Sequence, residues 1–150
     1  MGESHLVGPT ELLRTVGLGS CLAVVIFAPG QKLAALAHCM LPTRSDGDGD
    51  RARYVDSAVP YLLATLRAAG AMEPFTATLV GGATMFPGLT GGVVRDIAGG
   101  NVATARAVLS DSAVPIRSED VGGHVGRSVV VDPATQRVMV HTIREGDRCL

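Results

Sequence analysis

Tryptophan is absent from this chain, and its 150 residues include only two tyrosines and three phenylalanines. Valine, leucine and alanine must therefore fill the core. A surplus of charge is absent as well: 13 Lys and Arg against 14 Asp and Glu leave a formal net charge of −1. Without a run of lysines or arginines there is no basic field to hold nucleic acid. No apolar run approaches the ~20 residues of a bilayer-spanning helix. The longest strongly apolar run covers only residues 22–28, so no membrane insertion is expected. Leu18-Gly19-Ser20-Cys21 looks like a lipoprotein cleavage box, yet a signal peptide carries its apolar stretch before the cleavage site. Here that stretch follows Cys21, and Glu11 and Arg14 stand just ahead of it. Position 6 is Leu6 instead of Ser or Thr, which does not fit a myristoylation signal. A disulfide framework is missing too. The three cysteines, Cys21, Cys39 and Cys149, are odd in number and far apart, which predicts reduced thiols in a cytoplasmic protein. No CxxC pair occurs, which weakens a zinc reading.

What is present is apolar and ordered. Hydrophobic residues make up 47% of the chain, too many for a disordered protein, and its length suits one domain over residues 1–150. Residues 1–11 lack periodicity and read as a flexible arm. Residues 22–28 are rich in Val and Ile and end at Pro29-Gly30, a turn signal. A second apolar run over 32–41 is closed by Pro42, so the two runs predict a hairpin. Residues 43–53 read as an exposed loop. Its Asp46, Asp48 and Asp50 do not fit a calcium loop, because Arg51 and Ser57 stand where Gly and Glu are required. Val55, Ala58, Val59, Leu62, Leu63, Leu66 and Ala69 recur at helical spacing, and Gly70 is a C-cap signal. Pro60 leaves two starts open: an N-cap at Ser57 with Pro60 in the first turn, or a start near Tyr54 with a bend at Pro60. Residues 75–80, 115–121, 127–131 and 137–143 read as strands. Asn101 reads as the N-cap of a second helix over 102–109. This mixture argues an α/β or α+β sandwich with helices packed on sheet faces.

Chemistry concentrates in two segments. In Thr15-Val16-Gly17-Leu18-Gly19-Ser20-Cys21, two glycines let the backbone turn tightly just before the thiol. Exposed amides in such a turn stabilise a thiolate or an oxyanion, which makes Gly19 and Ser20 candidates beside Cys21. Taken alone, Cys21 reads as a small buried hydrophobe, as free cysteines usually are, in preference to a nucleophile. In Ala37-His38-Cys39-Met40-Leu41-Pro42, a histidine inside an apolar strand is costly unless its ring nitrogens find partners. The hairpin puts His38 on the strand beside the one that follows Cys21. A thiol with an imidazole is the minimal apparatus for attack on a carboxamide or ester; the other reading of His38 is a core histidine bonded to a carbonyl. Zinc on Cys21, His38, Cys39 and Cys149 is disfavoured, because adjacent His38 and Cys39 point to opposite faces of a strand. Gly17-x-Gly19 lacks the third glycine of a dinucleotide fingerprint. Gly81-Gly82 and Gly122-Gly123 precede no Lys-Ser or Lys-Thr and read as tight turns.

At these residues the sequence resembles the CheD family of chemoreceptor glutamine deamidases. The likeness is carried in order by Thr15 to Cys21, by Ala37 to Pro42, by Gly81-Gly82-Ala83-Thr84-Met85-Phe86, and by Glu119-Asp120-Val121-Gly122-Gly123 with Gly126-Arg127. Tyr54-Val55-Asp56 fits as well. The resemblance implies a three-layer α/β sandwich of mixed β-sheets with two main helices. It implies a Cys–His–Thr constellation at Cys21, His38 and Thr15, and hydrolysis of glutamine side-chain amides on methyl-accepting chemotaxis receptors. Methylesterase activity at the same site, or an adaptor role without turnover, are the alternatives. The implied partner is the CheC phosphatase, with the chain as a monomer or heterodimer, and no cofactor or metal is called for. Gly99-Gly100 departs from the charged residues that the family usually has before the asparagine.

Overall fold

The computed structural model describes residues 2–45, 49–84 and 96–150. Met85, Phe86, Asp46 and Asp48 lie outside the described residues. The strands are β1 (Ser4–Val7), β2 (Leu13–Leu18), β3 (Leu22–Ala28), β4 (Leu33–Cys39), β5 (Thr76–Gly81), β6 (Ile116–Val121), β7 (Arg127–Asp132), β8 (Arg137–Thr142) and β9 (Gly146–Cys149). The helices are α1 (Val55–Ala68) and α2 (Ile97–Asp111). A five-stranded sheet runs in the order β1-β4-β3-β5-β6, and a four-stranded sheet runs β2-β7-β8-β9. The first is mixed, because β5 and β6 are parallel and joined across α2; the second is antiparallel throughout. Among the described residues, no helix is long and apolar enough to cross a membrane.

Burial explains the patterning. All seven residues of β3 are buried, because this strand has hydrogen-bonded neighbours on both sides and is covered on both faces. Leu22, Val24 and Ile26 join α1 and α2 in one core cluster, while Ala23, Val25 and Phe27 meet Val129, Val131, Val138 and Val140 of the second sheet in another. A strand covered twice reads as a continuous apolar run, whereas β7 and β8 alternate because one face is solvated. The layers are therefore helices, mixed sheet and antiparallel sheet, the expected three-layer sandwich. The expected hairpin is present, with Ala28 opposite Leu33 and Ala23 opposite His38.

Two expectations are corrected and one open alternative is decided. Residues 1–11 are not a free arm: Ser4–Val7 pairs with β4, from Ser4 opposite Ala37 to Val7 opposite Ala34. An edge strand needs only backbone pairing, so its side chains carry little periodic signal. Helix α1 takes the second of its two possible starts, after Tyr54, with Pro60 inside, and the Ser57 hydroxyl instead donates to the carbonyls of Arg51 and Tyr54. Helix α2 begins earlier than expected. Asp96 is its N-cap, accepting from the Gly99 amide at 2.9 Å, and Asn101 is an interior, fully buried residue.

Candidate active site

Cys21 sits immediately before β3, half-buried against the cluster between the two sheets. On β3 the residues of that face are Ala23, Val25 and Phe27, so Cys21 continues the row that faces the second sheet. His38 is paired with Ala23 and shares its face. Cys21 and His38 are thus diagonal neighbours on adjacent strands, a placement with ~7–8 Å between backbones that longer side chains bridge. Cys39 points the other way, into the helix-side cluster. Among the described residues no group of three or more metal-ligating side chains gathers.

Strand β2 closes the site from the opposite sheet. The Thr15 hydroxyl oxygen lies 2.9 Å from His38 Nδ1. The other ring nitrogen, Nε2, is buried and has no hydrogen-bond partner among the described residues. If Nδ1–H donates to Thr15, Nε2 keeps its lone pair and can take a proton. Burial pushes the Cys21 thiol above its ordinary range and pulls the His38 imidazole below its own. At neutral pH both groups are therefore uncharged at rest, and the pair differs from a preformed thiolate–imidazolium couple.

The backbone around Cys21 is held from three directions. The Gly82 amide donates to the Cys21 carbonyl and the Ala83 amide to the Gly19 carbonyl, each at 2.8 Å. This contact is why Gly81 is glycine: a Cβ there would stand 2.3 Å from the Cys21 carbonyl oxygen. Gly82 meets helix α2, where a Cβ would lie 2.6 Å from Val102 Cγ2. The pair is therefore a close-approach surface for the thiol loop and α2, more than the tight turn expected. The Asn101 side chain donates to the carbonyls of Ser20, at 2.9 Å, and Met40, at 3.2 Å. As for the candidate oxyanion donors, the Gly19 amide is already taken by the Gly17 carbonyl at 3.1 Å. Among the described residues no backbone carbonyl accepts from the amides of Ser20 or Cys21, and the Cys21 amide is directed at its own sulfur.

The Glu119-to-Arg127 motif builds the neighbouring wall. Asp120 and Arg127 form a buried ion pair at 2.9 Å, and Arg127 also donates to the carbonyls of Gly122, at 2.8 Å, and Val125, at 3.1 Å. The guanidinium thereby shapes the loop between β6 and β7. Arg148 of β9 completes the cluster through Nε to the second Asp120 oxygen, at 2.6 Å. A cleft of 540 Å³ runs from Gly17 and Gly19 past His124 and Val125 to His141 and Ile143, beside the thiol loop. Sequence reasoning missed Arg148 and misassigned Asn101; Asp120 and the carbonyls of Ser20 and Met40 are all distant from them in the chain, so no local pattern marks either contact.

Comparison with known proteins identifies the family of the chain. A family model described as CheD chemotactic sensory transduction matches residues 40–142. The chain is 36% identical over 152 aligned residues to the chemoreceptor glutamine deamidase CheD of Halalkalibacterium halodurans, covering 99% of this chain and 94% of that protein. It is 38% identical to the probable chemoreceptor glutamine deamidase CheD of Geobacillus kaustophilus, over 95% of this chain and 89% of the relative. The corresponding protein of Archaeoglobus fulgidus is 34% identical, with 98% of each chain covered. The family model spans more than half of the chain and the relatives nearly all of it, and on both grounds this chain belongs to the CheD family.

Proposed function

We propose that this protein hydrolyses glutamine side-chain amides of chemoreceptors to glutamate, with Cys21 as nucleophile, His38 as base and Thr15 as the residue that orients the imidazole. The observation that carries this reading is the Thr15–His38 hydrogen bond, which occupies Nδ1 and leaves Nε2 unpaired on the face shared with Cys21. His38 Nε2 takes the Cys21 proton and the sulfur attacks the amide carbon. The oxyanion forms beside the amides of Ser20 and Cys21. His38 returns its proton to the leaving nitrogen, ammonia departs, and a thioester remains. Water then gives a proton to His38 and attacks the thioester carbon. The thiolate leaves, regains its proton, and glutamate is released. One water is consumed and one ammonia produced.

The resting pair is neutral, so the proton moves as the thiol attacks; this suits a site that meets an amide only when a receptor helix is docked. Family membership supports cytoplasmic receptor segments as substrates and the CheC phosphatase as a binding partner. The test is mass spectrometry of a receptor cytoplasmic fragment incubated with the protein. A gain of about one mass unit per converted glutamine, with a transient thioester, is the expected signature. Cys21→Ala should abolish the gain while the fold persists. Undiminished conversion by that variant would refute the assignment.

A further inference from the structure

Helix α2 lies on the face of the mixed sheet opposite the thiol, yet it reaches both reacting segments through one side chain. Asn101 is fully buried, and its Nδ2 donates to the carbonyls of Ser20 and Met40. Ser20 immediately precedes Cys21; Met40 follows β4 two residues after His38. Two acceptors on one nitrogen fix the amide's orientation, because the flipped rotamer would put its oxygen against both carbonyls. The helix is brought close enough by missing side chains. A Cβ at Gly100 would stand 3.2 Å from Pro42 Cγ, and one at Gly82 would strike Val102. Gly100, Gly82 and Asn101 thus form one close-packed seam, and this gives Gly100, part of the Gly99-Gly100 departure, a packing reason.

We propose that Asn101 is a positioning residue that clips the Cys21 loop to the end of the His38 strand and so sets the sulfur against Nε2. The β3–β4 ladder alone does not do this, because its pairing starts at Leu22 opposite Cys39 and leaves Cys21 outside the strand. Asn101 provides the cross-link one residue ahead of Cys21, where the ladder has ended. The inference rests on Cys21 and His38 working as a pair; it does not need the substrate to be a receptor.

The test reads the pair directly. In a Cys149→Ser background, alkylation of Cys21 by iodoacetamide is followed against pH by peptide mass spectrometry. Cys39 is completely buried and serves as an internal reporter of opening. Asn101→Ala should slow Cys21 alkylation at neutral pH about tenfold, because the displaced Nε2 no longer takes the thiol proton as the sulfur attacks, well within what a positioned base contributes. Its profile should move towards higher pH and match that of His38→Ala, with Cys39 still unlabelled. Asn101→Ser, whose hydroxyl can serve one carbonyl, should fall between. Leu109→Ala, a core truncation on the same helix, should leave the profile unmoved. A wild-type profile in Asn101→Ala would overturn the proposal. So would labelling of Cys39 in both Asn101 variants, because Asn101 would then be a general structural residue. Absence of deamidation by the unmutated protein, with the Asn101→Ala shift in alkylation still present, would instead count against the substrate assignment alone.

Discussion

Replacing Thr15 by valine tests the proposed chemistry most sharply, because it removes one oxygen and keeps the β-branched shape that suits β2. In the resting state the Thr15–His38 bond joins neutral groups and has a net worth of about 0.5–1.5 kcal/mol. Once His38 holds the Cys21 proton, the same bond serves an imidazolium and is worth about 1.5–3 kcal/mol. The difference, about 1 kcal/mol or slightly more, is stabilisation present only after proton transfer. It converts to a loss of about fivefold to tenfold in kcat. Thr15 bonds to the base, and the reading gives it no contact with substrate, so KM should stay unchanged. The acid limb of kcat should shift to lower pH, since an imidazolium deprived of its acceptor loses its proton more easily. Thr15→Ser keeps the oxygen and should retain most activity. The assay is ammonia release from a receptor fragment across pH, with circular dichroism to show that the fold persists. Unchanged kcat in Thr15→Val, or a loss carried wholly by KM, would remove Thr15 from the mechanism.

Two further predictions concern the scaffold. Burial lowers the His38 pKa from its ordinary 6.5 and raises that of Cys21 from 9.0. The His38 contribution to stability is complete above pH 6.5 and is lost as pH falls through the lowered folded value, because the unfolded chain takes the proton first. The Cys21 contribution is complete below pH 9.0 and is lost as pH rises above it. Chemical denaturation should therefore show a plateau between these limits, and Cys21→Ala should soften the alkaline limb; an unchanged limb would contradict the burial account. Gly81→Ala should be severely destabilising, by about 3 kcal/mol or more, since its φ of +120° and the Cys21 carbonyl both exclude a Cβ. A folded Gly81→Ala protein with wild-type thermal stability would refute the close-approach argument.

The sequence by itself determined what local periodicity can encode. The apolar run of β3 needed no partner to be read, because a strand covered on both faces has no polar positions. The helical repeat from Val55 to Leu66 likewise marks one buried face of α1. The β3–β4 turn sets the hairpin register, and that register puts His38 opposite Ala23. The face shared by Cys21 and His38 thus follows from short-range information. Thr15 is different. Its strand carries a register irregularity between Thr15 and Leu18, and it belongs to the other sheet, so only sheet-on-sheet packing delivers its hydroxyl to Nδ1. Tertiary structure alone moved Asn101 from a presumed cap into the core, where its partners lie on β4's end and the thiol loop. It alone joined Asp120, Arg127 and Arg148, drawn from β6, β7 and β9, into one charged cluster. Periodicity reports which face of an element is dry; it cannot report which distant carbonyl or carboxylate waits on the other side of that dry face.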